Sequence, residues 1–378
     1  MVRKGSPVRV RRWASVLREQ STEELSEHLE RLTAENRALR ERVAELEVGA
    51  GEGEATPAEP RIEHFRKRLR DWTTPRLGAA AQHAPQPLMI PASYLRARPP
   101  RNAPRIAVVT PSYNQGEFVG RTIESVLAQG YPELEYVVQD GGSDDGSADL
   151  IRSYEGLLTR WESAKDGGQA DAVNRGFAGT TGEIMAWLNS DDLLLPGSLA
   201  YVARYFDEHP DVDLVYGNRL VVDRHDMHVG TWVLPPHDDE VLTLVDYVPQ
   251  ETMFWRRRLW ERAGGHLDER YRFTLDWEIL LRFRVAGARM ARLPRFLGAF
   301  RWHSQQKNQT IGSVASEEMA RLREQVHGRR VGPRETAERS RGYLRRHVAL
   351  HSAHRALDRV PLLRVQAVPE MRLDQPGT

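Results

Sequence analysis

A short apolar run, residues 184–188, breaks off into Asn189, Ser190, Asp191 and Asp192, and no other stretch restricts the fold of this chain as much. Gly182 precedes the run, and Pro196 and Gly197 follow it. Bounded so tightly, it reads as a buried strand, although periodicity alone leaves a piece of buried helix open. In an open α/β sheet, ligands bind beyond the carboxyl ends of the strands. Two adjacent carboxylates placed there repel each other unless a positive group joins them. A hard divalent cation that also takes phosphate oxygens answers that need. The plainer reading is a loop in which Asp192 caps a helix starting at Leu193.

The neighbouring sequence repeats the arrangement. Residues 106–109 form a β-branched, apolar strand closed by Thr110, Pro111, Ser112, Tyr113 and Asn114. A helix follows with Val119, Ile123, Val126 and Leu127 on one face. A second strand, 134–138, ends in Gln139, Asp140 and a glycine- and aspartate-rich turn through Ser147. Strand, helix and strand at this spacing imply a parallel pair. A helix is expected at 147–154, a short strand at 161–164 and another helix ending at Phe177. Beyond the central strand come a helix at 196–208 entered by Pro196, strands at 212–216 and 220–222, and an irregular stretch at 235–248. An apolar strand at 249–255 and a short helix at 256–263, ended by Gly264 and Gly265, come next. A helix then carries Ile279, Leu280 and Phe283 inward, and residues 289–302 offer two short strands before His303. The class is therefore α/β, with a sheet flanked by helices.

The flanks differ in kind. Residues 1–20 read as a mobile basic arm. In residues 21–48, Leu25, Leu32, Leu39 and Leu46 recur every seven residues, and Leu29, Asn36 and Val43 take the a positions. Glu35 with Arg40, and Arg42 with Glu47, attract across a parallel pair, so a homodimer through 21–48 is expected. A solitary amphipathic helix packed on its own protein is the alternative. A DNA-binding zipper needs a basic helix running straight into the heptads. Here Glu23, Glu24 and Glu27 intervene, and a net charge of +1 adds no field for nucleic acid. Residues 49–104 read as a linker that carries a short helix at 61–73 and is otherwise irregular. Residues 306–378 read as an Arg-rich helical extension, either solvated or making peripheral contact with an anionic membrane. The chain has no cysteine, which fits a reducing, cytoplasmic setting, and no long apolar run to span a membrane.

Residues 105 to about 305 resemble the family 2 glycosyltransferases of the GT-A fold, nucleotide-sugar-dependent enzymes of bacteria among them. Four motifs in the family's order carry the likeness: residues 109–114, 139–147, 189–192 and 264–268. The resemblance implies a nucleotide-binding mixed sheet, flanked by helices and joined to a smaller acceptor-binding part. It implies a nucleotide-sugar donor, UDP- or dTDP-linked, and an inverting transfer to a glycan, lipid-linked or small-molecule acceptor. Thr110, Pro111 and Tyr113 would lie at base and ribose, Asp140 would accept from the nucleobase imide, and Asp191 would hold the ribose. Asp192 would bind Mn²⁺ or Mg²⁺, and His303 would complete the metal shell. Asp276 matches the family's catalytic base, and a helix start there would keep it ionised through the dipole. Glu278 is its competitor, two positions along the helix and facing elsewhere.

The chain departs from the family twice. Asn189 stands where many members have an acid, and Val173 where many have an arginine. Gln169 and Asp171 are the polar groups placed to replace that arginine, with Lys165 and Arg175 as candidate diphosphate partners. Two other functions are open at this point. A coiled-coil scaffold that only binds nucleotide sugar would not need Asp276. A nucleotidyltransferase would need a basic, glycine-rich loop after the first strand, and residues 112–116 contain no Lys or Arg.

Overall fold

The computed structural model describes residues 82–303, 312–357 and 364–366, together with Leu77. The basic arm, the heptads at 21–48 and the short helix at 61–73 lie outside the described residues.

The sheet is mixed, as expected. Its described strands run in the order β4 (Arg160–Ser163), β3 (Leu134–Asp140), β2 (Ile106–Ser112), β5 (Ile184–Trp187), β9 (Phe254–Arg256), β7 (Leu214–Val222), β10 (Met290–Arg301) and β6 (Leu193–Leu194). β8 (His228–Trp232) pairs with β7 off this path. The β2–β3, β2–β5 and β3–β4 pairs are parallel, and β9 joins the two halves antiparallel to β5 and β7. α1 (Val119–Leu127) makes the crossover from β2 to β3, and the register from Ile106↔Leu134 to Ser112↔Asp140 has no slip. Both strands therefore end level, which places Ser112 beside Asp140 at the sheet's carboxyl edge.

β2 is buried along its whole length, as a parallel strand covered on both faces must be. Its alternation sorts the two faces. Val109, Val137, Met185 and Trp187 enter one core with Trp255, Trp277 and Phe283. Ile106, Val108, Val138, Ile184 and Ala186 enter the other with Ile123 and Phe206. α2 (Ser147–Ser153), α3 (Gln169–Phe177) and α4 (Ser198–Glu208) complete the N-terminal half. α5 (Asp239–Leu242), α6 (Arg257–Arg262) and α7 (Leu275–Val285) serve the other half.

Several boundaries differ from the sequence expectation, each for a tertiary reason. Pro196 does not open α4; it precedes Gly197, the cap, at φ 71°. Residues 214–222 form one strand, not two. Gly217 makes no turn there; it lets β10 approach, and a Cβ would lie 2.6 Å from the Arg295 carbonyl. Residues 249–255 are not a strand throughout: Gln250–Thr252 is a turn of 3-10 helix, and only Phe254–Arg256 joins the sheet. The two short strands expected near 289–302 are one twelve-residue strand. β1 (Met89–Pro91), inside a stretch expected to be irregular, pairs with β11 (Arg364–Gln366). The C-terminal helices α8 (Gly312–His327) and α9 (Pro333–Leu357) send Leu322 and Tyr343 into the same core as Trp277. Among the described residues no helix is long and apolar enough to cross a membrane.

Candidate active site

The turn after β5 is built to hold two carboxylates. Asp192 does not cap a helix, because residues 193–194 are strand β6. Its backbone N–H donates to the Asn189 carbonyl at 3.1 Å. The Thr122 hydroxyl of α1 lies 2.8 Å from the carbonyls of both Ser190 and Asp192, which pins the turn to the crossover helix. The Asp192 side chain is buried, and the backbone N–H of Arg301 donates to its Oδ1 at 3.0 Å. Burial, then the charges of Asp191 and Glu251, push the Asp192 carboxyl well above the usual carboxylate range. His303, at the end of β10, is brought to Asp191 rather than Asp192, with Nε2 3.1 Å from Oδ2. Its ring packs on Phe118 at 4.6 Å.

Among the described residues no three His, Cys, Asp or Glu side chains converge as a ready-made metal centre. The donor set still fits a hard cation that arrives with a diphosphate. Asp192 is a buried carboxyl that gains from a positive neighbour, Asp191 stands beside it, and diphosphate oxygens would supply the remaining ligands.

The positions expected at the nucleotide are gathered at the carboxyl ends of β2, β3 and β5. Tyr113 is exposed and lies against Gly141, whose added Cβ would meet its ring at 3.2 Å. Pro111 pairs in register with Gln139. Thr110 turns inward, and its hydroxyl lies 3.0 Å from that of Tyr136. Asp140 organises its own turn: Oδ2 accepts from the N–H groups of Gly142 at 3.2 Å and Ser143 at 2.9 Å, and from the Ser163 hydroxyl at 2.6 Å. Oδ1 accepts from the Ser143 hydroxyl at 2.6 Å. Gln169 reaches the motif after β5, donating to Asn189 Oδ1 at 2.7 Å. Asp171 is committed locally, to the Gly167 N–H at 2.7 Å and to Arg175 at 2.8 Å. Arg175 is thus bound to its own helix, and Lys165 stays at the exposed surface. Val173 points into the core, so an arginine there would have to displace packed side chains.

On the other side stands Asp276, in the first turn of α7 and half-buried. Its Oδ1 accepts from the Trp277 N–H at 2.9 Å. Its place at the helix start is as expected, but the dipole is not the dominant influence on it. Burial outweighs the backbone N–H and moves its pKa up to about 6. Glu278 is occupied, with both oxygens on Arg282 at 2.7 and 2.8 Å.

Between the two sides lies a group the sequence did not reveal. Arg219 of β7 makes a two-pronged ion pair with Glu251, at 2.8 and 2.7 Å. Its guanidinium sits between the rings of Trp232 and Phe300, 4.7 and 4.5 Å from their centroids. From there it acts on Asp192, Asp246 and Asp276 together. Asp246 is pushed well above the ordinary range, first by burial and then by the charge of Asp276. Two signals could have shown this group: a glutamate inside a run read as an apolar strand, and an arginine between two runs read as separate strands.

With this geometry in hand, the comparisons with known proteins agree among themselves. The family model described as Glycosyl transferase family 2 matches residues 107–280. An uncharacterized glycosyltransferase of Mycobacterium tuberculosis is 30% identical over 187 residues, 48% of this chain and 69% of that protein. A PGL/p-HBAD biosynthesis glycosyltransferase of the same species is 29% identical over 186 residues, 48% of this chain and 70% of that protein. Among solved structures, S. aureus TarS 1-349 in complex with UDP-GlcNAc superposes with a TM-score of 0.50 at 18% identity. That match covers 68% of this chain and 76% of the TarS chain, and it bears on the fold alone. A second TarS structure is spanned to 43% of its length.

Proposed function

This chain belongs to glycosyl transferase family 2 and has the GT-A fold, and on that premise we propose that it is an inverting enzyme using a UDP- or dTDP-linked sugar. One observation carries the reading. The Arg219 guanidinium, fixed by Glu251, acts electrostatically on both Asp192 and Asp276, so one cation serves a buried carboxyl and a half-buried one. A single-displacement transfer needs that division, with one carboxylate at the leaving group and another at the attacking hydroxyl. Asp276, poised at about 6, is ionised at neutral pH yet basic enough to take the acceptor proton.

In this reading Asp140 accepts from the imide N–H of uracil or thymine through Oδ1. Pro111 and Tyr113 line base and ribose, with Gln169 and Asp171 beside them, and Asp191 holds the ribose; Thr110, turned inward onto Tyr136, supports the strand end from beneath. Asp192 and His303 would hold Mn²⁺ or Mg²⁺, which when bound neutralises the departing diphosphate. The acceptor is a hydroxyl of a polysaccharide precursor, a lipid-linked glycan or a small metabolite. The likeness to the PGL/p-HBAD biosynthesis glycosyltransferase puts acceptors of that biosynthesis among those to try. A cytoplasmic enzyme, dimeric through residues 21–48 and in peripheral contact with the membrane, completes the proposal.

The test is a calorimetric panel of UDP-, dTDP- and GDP-sugars, each with Mn²⁺ and with chelator, followed by mass spectrometry of products formed in a cell extract. Uracil or thymine nucleotides should bind, and more tightly with Mn²⁺. Preference for a purine nucleotide, or binding indifferent to metal, would refute the donor assignment.

A further inference from the structure

We infer that Arg301 is a positioning residue of the donor site, holding Asp191 and Asp192 in the geometry that takes up a metal and a diphosphate together. The inference rests on the donor-side reading above. Arg301 ends β10, and its side chain is 1% exposed. Its backbone N–H donates to Asp192 Oδ1 at 3.0 Å, and its Nε donates to the Asp191 carbonyl at 2.7 Å. Nη1 donates to the Asp223 carbonyl at 3.2 Å and pairs with the Asp226 carboxylate. The guanidinium also lies over the Phe118 ring, 4.9 Å from its centroid. One planar cation thus ties together the turn after β5, the turn after β7 and the start of α1.

The charge itself needs a reason. Burying a cation is costly unless it is paired and hydrogen-bonded, and an apolar side chain would close the end of β10 without that cost. What the guanidinium adds here is a bond from Nε to the Asp191 carbonyl, which fixes the backbone of the turn that carries two mutually repelling carboxylates. Its own countercharge is fixed in turn. Asp226 also takes Arg121 at 2.9 Å, and Arg121 reaches Glu124 at 2.7 Å. Charges therefore alternate from Arg301 outward through Asp226 and Arg121 to Glu124 of α1. A lysine offers one point charge and cannot reach the Asp191 carbonyl, the Asp223 carbonyl and Asp226 at once. The Asp140 turn is held by Ser143 and Ser163, away from all of these contacts. Nucleobase binding and metal–diphosphate binding can therefore be separated.

The experiment uses the full chain with Arg301→Lys and Asp226→Asn. Uridine affinity is measured by calorimetry, and Mn²⁺ uptake in the presence of UDP by electron paramagnetic resonance. Arg301→Lys should weaken Mn²⁺–UDP binding about 10-fold or more, the scale set by loss of a residue that orients metal ligands. Uridine affinity should stay within about 2-fold, less than the loss of one neutral hydrogen bond would cause. Asp226→Asn leaves Arg301 in place and should shift Mn²⁺–UDP the same way by about 3-fold, the scale of a partly exposed ion pair. If Arg301→Lys does not fold, Asp226→Asn decides by the same two readouts. Wild-type Mn²⁺–UDP affinity in the folded variants overturns the inference. So does an equal loss of uridine and Mn²⁺–UDP binding, which would mark Arg301 as structural only. A wild-type chain that binds neither probe brings down the donor reading as well, so the two failures are distinguishable.

Discussion

The catalytic side of the molecule should depend on a carboxylate far from it in sequence. Glu318 of α8 is buried and accepts from the N–H groups of Arg272 at 2.8 Å, Phe273 at 2.9 Å and Thr274 at 2.9 Å, and from the Thr274 hydroxyl at 3.1 Å. Thr274 caps α7 but makes no capping bond of its own, and Glu318 fixes it together with the two residues that lead into the helix carrying Asp276. Hydrogen bonds to a charged group contribute about 1.5–3 kcal/mol each, and an unpaired buried donor costs about 1–3 kcal/mol. Three N–H groups share one carboxylate, and that of Arg272 can turn to water. Glu318→Ala should therefore cost about 3 kcal/mol, near the upper end for single substitutions. In a unit of this size that lowers Tm by about 5–10 °C. Glu318→Gln keeps the shape but not the charge and should cost about 1–2 kcal/mol. Its pH dependence follows from the pKa. Burial alone raises the Glu318 carboxyl, but the N–H groups of Arg272, Thr274 and Phe273 more than reverse this and leave it below the ordinary value. A depressed carboxylate stabilises the fold above its unfolded pKa, and that stability is lost as pH falls through the folded value. The gap between wild type and Glu318→Gln, measured by urea unfolding from pH 8 to pH 4, should therefore narrow at the acid end. Equal stability at pH 7, or a gap unchanged at pH 4, would refute the reasoning. In the same variants kcat should fall while donor affinity holds.

Further outcomes follow from the same geometry. Asp276→Asn should bind donor and metal as wild type does but lose turnover by about 10²–10⁴, as expected for a lost general base. Wild-type turnover should fall as pH drops through about 6, because protonation of Asp276 removes the base. A raised carboxyl favours the folded state only at low pH, so Asp276→Asn should also raise Tm at pH 7, read by calorimetry. Glu278→Gln should lose stability with Arg282 yet keep most of its turnover; a dead Glu278→Gln with an active Asp276→Asn would reverse the base assignment. Asp192→Ala should abolish the metal-dependent part of donor affinity, measured by titration with and without Mn²⁺. Deletion of residues 1–60 should leave a folded catalytic unit of lower association state, and light scattering that finds the full chain monomeric would refute the heptad dimer.

Local pattern carried much of this protein. The crossover from β2 through α1 to β3 was readable because apolar alternation and 3.6-residue periodicity act over a few neighbours, whatever surrounds them. The Asn189–Asp192 turn was readable because an abrupt change from apolar to acidic residues marks a strand end in any context. Asp276 was legible only through its likeness to a family, and the upward shift of its pKa was not legible at all, since desolvation depends on everything packed around it. Arg219 with Glu251, and Arg301 with Asp191 and Asp226, are pairs from distant strands and loops, joined once the sheet is assembled. Residues 212–216 and 220–222 were read as separate strands, whereas Gly217 inside the single strand β7 is contact space for β10. The sequence by itself determined the β2–α1–β3 crossover, the central strand β5 and where their acidic ends fall. The tertiary structure alone decided which charges meet, and hence which carboxyls are raised or lowered, because Coulomb interactions and desolvation follow distance in space, not separation along the chain.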